Sequence, residues 1–129
     1  MIISLDTGSS VPIYVQLRNQ IVTGIGRGEL KAGENLPTVR QLAQDAGVNT
    51  MTVNKTYQIL KAEGFIEIDR RRGATVCRVQ KRDAVFKEKL ESELELLSAE
   101  ACLKGIDREE FLNICDRMFS CMKPEAAEV

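Results

Sequence analysis

Histidine is absent from this 129-residue sequence. Histidine is the commonest general base and the commonest metal ligand in proteins, so its absence removes every His-based catalytic triad and most transition-metal sites. The four cysteines, at positions 77, 102, 115 and 121, form no C-x-x-C pair and so lack the spacing of a zinc finger. We therefore expect neither an enzyme nor a cofactor nor a bound metal.

Long apolar runs are absent as well. Residues 1–6 lack the basic start and apolar run of a signal peptide, and no segment approaches the roughly 18 apolar residues of a membrane span. These features predict a cytoplasmic protein with no membrane partner. In that reducing location we expect the four thiols to stay reduced and mostly buried.

The chain as a whole also lacks an excess of positive charge. Its 18 Lys and Arg residues face 19 Asp and Glu residues, for a net charge of −1, whereas nucleic-acid-binding proteins usually carry a basic excess. The distribution is uneven, however. Residues 1–82 hold 12 basic and 7 acidic residues, a net of +5, and residues 83–129 hold 6 and 12, a net of −6. Such asymmetry between halves points to nucleic-acid binding by the basic half.

Two short helical patterns in the first half are joined by a tight turn. The first begins after Thr38, an N-cap candidate, and ends at Gly47, and the second runs from about Thr50 to Glu63. A longer helical pattern that begins at Pro12 precedes them. Two short helices joined in this way form a helix-turn-helix. Helical spacing places three apolar residues of the second helix inward: Val53, Tyr57 and Leu60.

A predicted hairpin with arginines at its tip follows. Residues 65–69 and 74–79 are rich in β-branched side chains and read as strands, with Arg70, Arg71, Arg72 and Gly73 between them. Because three adjacent positive charges repel one another, a phosphate or a narrow minor groove explains the cluster better than a solvated turn. A helix-turn-helix followed by a basic hairpin is the layout of a winged helix. In that layout the second helix enters the major groove and the hairpin tip reaches an adjacent groove.

The outer side of the second helix and its surroundings carry side chains suited to DNA. Asn and Gln amides can pair with adenine, Thr hydroxyls with several base edges, and a Met side chain with a thymine methyl group. Lys55, Lys61 and Arg40 are better placed to neutralise phosphates. The predicted DNA-binding residues are Thr38, Arg40, Asn49, Thr50, Met51, Thr52, Asn54, Lys55, Gln58, Arg70, Arg71, Arg72 and Gly73.

The second half predicts two further helices, from about Asp83 to Lys104 and from Asp107 to the polar tail at Lys123. The apolar stripes of these two helices should pack either in the core of the protein or against a partner. The predicted dimer-interface residues are Phe86, Leu90, Leu94, Leu97, Phe111, Met118 and Met122. The expected fold is thus mainly α with a small β-hairpin wing. A winged helix-turn-helix domain, residues 1–80, precedes a two-helix dimerisation segment, residues 81–129.

Residues 12–79 resemble the winged-helix domain of the GntR family of bacterial transcription regulators. The resemblance rests on residues 12–14, the connector 28–33, residues 36–43, the turn 47–49, residues 52–53, and residues 60–66. The short helical remainder resembles the tail of the YtrA subfamily, which implies a homodimer and, commonly, control of transporter operons. Arg40, Thr52 and Gly73 match the family pattern, whereas Thr50 and Asn54 stand where the family often has Arg.

These observations favour a homodimeric repressor that binds a pseudo-palindromic operator, because a two-fold dimer presents two recognition helices to two half-sites. The alternative is a protein-interaction adaptor that uses the winged helix and the C-terminal helices as docking surfaces. An enzyme ranks third. The sequence identifies no small-molecule effector, and the dimer interface, a thiol and a groove beside the first helix all remain open as the place where a signal acts.

Overall fold

The structure, a computed structural model, describes residues 3–79 and 83–124. These residues fall into two compact units, one of residues 3–79 with 123–124 and the other of residues 83–122. The fold is mainly helical with a two-stranded antiparallel hairpin, as predicted. The described elements are α1 (Ile13–Gly26), α2 (Val39–Ala46), α3 (Thr50–Ala62), β1 (Ile66–Asp69), β2 (Gly73–Val76), α4 (Ala84–Leu103) and α5 (Arg108–Ser120).

The first unit is built around one apolar core that α1, α2 and α3 share with the hairpin. The helical faces predicted from spacing are the buried ones, and Val53, Tyr57 and Leu60 of α3 are each at most 3% exposed. Leu17 and Ile21 of α1 are fully buried against them. Burial of each such side chain stabilises the fold by about 1.5–3 kcal/mol, which fixes α3 with one face inward and the other outward.

The turn between α2 and α3 is formed by the C-cap of α2 and the N-cap of α3, and each cap involves residues that are close together in the chain. Gly47 follows α2 with φ of +70°, a left-handed conformation that suits glycine. Two residues later the Oδ1 atom of Asn49 accepts a hydrogen bond from the backbone N–H of Thr52 at 2.8 Å and caps α3. Thr38 caps α2, as predicted, by accepting from the Gln41 N–H at 3.1 Å. The sequence thus specifies this turn locally.

The hairpin is shorter than predicted. Its strands are residues 66–69 and 73–76, where the sequence analysis placed them at 65–69 and 74–79. Gly73 pairs with Asp69 and has φ of +75°, so it closes a three-residue loop and belongs to β2. At the end away from the loop, one backbone hydrogen bond lies beyond the strands: the Cys77 N–H donates to the Phe65 carbonyl at 3.0 Å.

The connector between α1 and α2 pairs with β2, a feature that the sequence analysis missed. The Gly33 N–H donates to the Val76 carbonyl at 2.8 Å, and the Val76 N–H donates to the Glu34 carbonyl at 3.0 Å. Further along, the Leu36 N–H donates to the Ala74 carbonyl at 2.8 Å. β2 is therefore hydrogen-bonded to the segment that leads into α2 as well as to β1.

The second unit is a pair of helices. Asp83 caps α4 by accepting from the N–H groups of Val85 and Phe86, and Asp107 caps α5 by accepting from the Glu110 N–H at 2.9 Å. The predicted bounds of α4 are confirmed, whereas α5 ends at Ser120, two residues before the predicted stripe ends. The predicted domain boundary between residues 80 and 81 lies outside the described residues. Over the described ranges, none of the helices has the length and apolar character that crossing a membrane requires.

Candidate nucleic-acid interface

The outward face of α3 carries the side chains predicted to read bases. Thr50, Met51, Asn54 and Gln58 are all exposed, and Met51 is 80% exposed. The apolar side chain of Met51 forms no hydrogen bonds with water. It is exposed because the opposite face of α3 is packed in the core. The structure therefore places an apolar group and two side-chain amides together on one helix face, a set that can contact the edges of base pairs.

Asn49 and Thr52 stand at the start of α3 and are bonded to each other. Besides accepting from the Thr52 N–H, the Oδ1 atom of Asn49 accepts from the Thr52 hydroxyl at 3.0 Å. Asn49 is exposed, whereas Thr52 is half-buried. Both were predicted to touch DNA, and the structure shows that their oxygen atoms already serve the helix cap.

Thr38 and Arg40 lie at the start of α2, on the far side of the helix-turn-helix turn from α3. Both are exposed, and the hydroxyl oxygen of Thr38 accepts the capping hydrogen bond. Arg40 carries a guanidinium group that is charged at every accessible pH. Arg40 therefore adds an exposed positive charge at the start of the helix-turn-helix.

The wing tip, residues 70–72, brings three arginines into one loop. All three are exposed, and the loop is held by a hydrogen bond in which the Arg71 N–H donates to the Oδ1 atom of Asp69 at 2.9 Å. This side chain to backbone bond two residues on is an Asx turn, which fixes the backbone of a short loop. The predicted arginine tip is therefore an ordered loop of the structure, closed by Gly73.

Lys55 has an aromatic partner that the sequence analysis did not predict. Its Nζ atom lies 3.8 Å from the ring centroid of Tyr14, a residue in the first turn of α1. The distance is well within the range of a cation–π contact. The only sequence signal was Tyr14 itself, which belongs to the matched residues 12–14 but carried no predicted role.

A second set of contacts fixes the far end of α3. Arg18 of α1 donates from Nε to Glu63 Oε1 at 2.9 Å and from Nη2 to Glu63 Oε2 at 3.0 Å. The same guanidinium lies 5.5 Å from the ring centroid of Phe65. A bidentate arginine pair combines energy with directional specificity. These contacts tie α1 to the end of α3 and to the chain just before β1, and so orient the helix predicted to enter DNA.

The second unit carries the predicted interface residues on its surface. Neither α4 nor α5 has a fully buried residue. The expectation of mostly buried thiols is therefore wrong, since Cys102 and Cys121 are exposed and Cys115, like Cys77 of the first unit, is half-buried. Phe111 and Met122 are half-buried, and the other predicted interface residues are exposed. The sequence analysis missed Phe119, which is 80% exposed, because it lies off the predicted stripe. Further exposed apolar residues of this unit are Val85, Leu96, Leu103 and Leu112.

The arrangement offers no metal chemistry within the residues that the structure describes, where no group of three or more acidic or cysteine side chains could hold an ion. It offers instead hydrogen-bond donors and acceptors on one helix face together with fixed positive charges. Such a combination suits an anionic polymer whose grooves display donor and acceptor patterns, which describes duplex DNA.

Solved structures share this architecture. The crystal structure of a transcriptional antiterminator from Listeria monocytogenes covers 100% of this chain and 98% of its own, with a TM-score of 0.85 and 23% identity, which is a likeness of fold alone. The structure of YtrA from Sulfolobus acidocaldarius, a GntR-family transcription factor, covers 77% of this chain and 99% of its own, with a TM-score of 0.66 and 38% identity. AraR(DBD) in complex with operator ORX1 matches 57% of this chain and 93% of its own at 25% identity, with a TM-score of 0.53.

Sequence relatives are transcription regulators. The transcriptional repressor YtrA of Bacillus subtilis is 34% identical over 110 residues, which make up 84% of this chain and 85% of that protein. The family model for bacterial regulatory proteins of the gntR family matches residues 12–76, the range that contains the helix-turn-helix and the hairpin. The chain therefore belongs to the GntR family and is a DNA-binding transcription regulator similar to YtrA.

Proposed function

We propose that the protein is a homodimeric repressor that binds a pseudo-palindromic operator, with α3 in the major groove and the wing tip in an adjacent groove. One observation carries the proposal. The face of α3 opposite the core exposes Thr50, Met51, Asn54 and Gln58, and the same compact unit contains the hairpin whose loop carries three arginines. The proposed DNA-binding unit is residues 1–80, and the proposed dimerisation segment is residues 81–129.

The chemistry of α3 supports a base-reading role. The major groove is about 12 Å wide and accepts a helix. Within it, the amides of Asn54 and Gln58 can each pair with the N6 and N7 atoms of an adenine, and Met51 can pack on a thymine methyl group. Arg40 and Lys61 supply charge to flanking phosphates, which adds affinity without reading sequence.

The wing supports binding in a second groove. The guanidinium groups of Arg70, Arg71 and Arg72 are planar and present several donors to phosphate oxygens. A narrow minor groove has an enhanced negative potential that attracts arginine. Clustering three like charges in one loop is unfavourable in the free protein, and contact with a polyanion offsets that repulsion.

The exposed apolar residues of α4 and α5 support a homodimer. Phe86, Leu90, Leu94 and Leu97 follow one another at helical spacing along α4, and they are between 38% and 54% exposed. A second copy of the same segment would cover them, because a two-fold interface pairs a surface with itself. The resulting dimer presents two copies of α3 to half-sites about one helical turn apart, or a multiple of it. Repression is inferred from the likeness to the repressor YtrA of Bacillus subtilis.

The wing is tested by charge removal with a matched control. Replacing all three arginines of residues 70–72 with Ala should weaken binding to duplex DNA and lower the slope of log K against log salt by about 0.9 for each lost phosphate contact. The control removes three charges from the second unit, at Lys87, Lys89 and Lys104, and should leave the slope unchanged. An unchanged slope in the wing variant would mean that the wing does not touch DNA.

The reading helix and the dimer need separate experiments. In a selection from randomised duplexes, Asn54→Ala should relax the preference at one base position, whereas Lys61→Ala should weaken all sequences alike. By light scattering after size exclusion, the native chain should be a dimer and Leu94→Glu a monomer. Leu103→Glu, outside the stripe and 86% exposed, is the matched control and should remain dimeric. A monomeric native chain would refute the dimer.

A further inference from the structure

We propose that Tyr14 is a positioning residue for DNA binding, because its ring holds the Lys55 ammonium in place as a fixed phosphate contact at the edge of α3. The inference rests on the proposed function and adds to it a residue on α1, a helix to which the sequence analysis gave no part in recognition. It concerns the ring of Tyr14 rather than its hydroxyl, and that distinction decides the design of the test.

The geometry fixes the ring relative to α3. The Nζ atom of Lys55 lies 3.8 Å from the centroid of the Tyr14 ring. The next residue, Thr56, is fully buried, and its single hydroxyl proton is shared between the Tyr14 carbonyl at 3.0 Å and the Thr52 carbonyl at 3.1 Å. The backbone that carries the ring is thus bonded to the helix that carries the lysine. Tyr14 and Lys55 cannot shift past one another without breaking a buried contact.

The chemistry of the contact leaves Lys55 available to DNA. An ammonium group has three N–H donors and no acceptor. The negative face of an aromatic ring attracts the charge from one side without forming an ion pair. In the described part of the chain no carboxylate lies within ion-pair distance of Lys55, so none of the described residues neutralises its charge. Donors that point away from the ring remain free for a phosphate oxygen.

Pre-organisation explains why the ring matters. A lysine side chain has a flexible four-carbon stem, and binding a phosphate with it normally requires the stem to be ordered at that moment. Where a ring already holds the ammonium, that ordering takes place on folding. Lys61 lies on the same helix and has no aromatic partner among the described residues, so it provides a matched control.

The test measures binding of a fluorescein-labelled duplex of mixed sequence by anisotropy at several salt concentrations. Tyr14→Phe keeps the ring and should bind like the native chain. Tyr14→Leu removes the ring and should weaken binding about two- to five-fold, the range expected for an exposed cation–π contact. Lys55→Gln should weaken binding by at least as much and lower the salt slope by about 0.9. Adding Tyr14→Leu to Lys55→Gln should have no further effect, whereas adding it to Lys61→Gln should weaken binding as in the native background.

Several results would overturn the inference. If Tyr14→Leu weakens binding equally in the native and Lys55→Gln backgrounds, Tyr14 acts through the packing of α1 and not through the lysine. If Tyr14→Phe binds as poorly as Tyr14→Leu, the hydroxyl matters and the ring does not. If Lys55→Gln binds normally while the native chain binds DNA, the inference fails and the proposed function stands. If the native chain binds no duplex, both fail. Far-UV circular dichroism of each variant verifies that the helices are intact.

Discussion

The buried hydroxyl of Tyr57 links the reading helix to the connector that pairs with the wing. Tyr57 is 3% exposed, and its Oη atom donates to the carbonyl of Pro37 at 2.7 Å. Pro37 directly follows Leu36, which is hydrogen-bonded to β2. Replacement of Tyr57 by Phe removes this one hydrogen bond while keeping the ring that packs in the core. The variant therefore isolates the energy of a contact between α3 and the segment leading into α2.

The expected loss of stability is about 1 kcal/mol near neutral pH. A typical hydrogen bond within a protein contributes about 0.5–1.5 kcal/mol net, and a fully buried carbonyl left without a donor costs more. Pro37 is half-buried, so water can replace part of the lost bond, and the lower range applies. The measurement is urea denaturation of the full chain followed by circular dichroism, at one fixed protein concentration because the stability of the proposed dimer would depend on concentration.

The difference between the two proteins should also depend on pH, with a sign fixed by the tyrosine. Burial raises the pKa of Tyr57 above its ordinary value of about 10, so the folded chain keeps the phenol neutral where the unfolded chain loses the proton. The contribution of the neutral Tyr57 phenol to the free energy of unfolding is complete below pH 10. Above pH 10 this contribution falls by about 1.4 kcal/mol per pH unit, because the phenol ionises in the unfolded chain. The advantage of the native chain over Tyr57→Phe should therefore vanish between about pH 10 and 11.

Two results would refute this reasoning. Equal stability of the native chain and Tyr57→Phe at pH 8 would mean that the hydrogen bond to Pro37 contributes nothing in solution. A constant difference up to pH 11 would mean that Tyr57 ionises as readily in the folded as in the unfolded chain, and so is not buried. The two proteins differ only at residue 57, so the comparison cancels every other effect of pH.

Three further outcomes are expected. Arg18→Ala should lower the free energy of unfolding by about 0.5 kcal/mol, because the Glu63 side chain is 36% exposed and solvent weakens its ion pair with Arg18. This loss of stability should be smaller at high salt. Urea denaturation measures the loss and its dependence on salt. Asn49→Ala should lower the free energy of unfolding by about 1 kcal/mol, because α3 loses its N-cap. Asn49→Asp should keep most of that stability in the same assay. Iodoacetamide at neutral pH should label Cys77 more slowly than the exposed Cys102, because burial raises the pKa of the Cys77 thiol. Mass spectrometry measures both labelling rates, and equal rates would contradict this expectation.

The features that the sequence predicted correctly depend on residues close together in the chain. Apolar residues at helical spacing predicted the five helices of the described ranges, and Thr38 and Asp107 cap helices that start one residue later. Such signals act within a few residues, so the sequence displays them directly. The outward face of α3 followed from the same periodicity, since a helix with one buried face must expose the other.

The features that the sequence did not predict join distant residues. The connector at 33–36 pairs with β2 some forty positions later, and its initial glycine, the proline that follows it and its lack of alternation gave no sign of a strand. The contacts of Tyr14 with Lys55 and of Arg18 with Glu63 cross similar distances. Each pair consists of residues that are common on ordinary surfaces. Only the packing of α1 on α3 brings them together, so spacing along the chain carries no trace of them.

Charge is the property for which the average over the chain misleads most. A net charge of −1 describes neither half, because residues 1–82 carry +5 and residues 83–129 carry −6. At 0.1 M salt a charge acts over about 10 Å, so a phosphate responds to the side chains that approach it and not to the whole chain. In the proposed function, the arginines of the wing tip and the lysines of α3 would attract DNA to the first unit. The glutamates along α4 would repel DNA from the second unit and leave its exposed apolar stripe to a second copy of the chain. The segregation of charge therefore supports the proposal that each unit has its own partner.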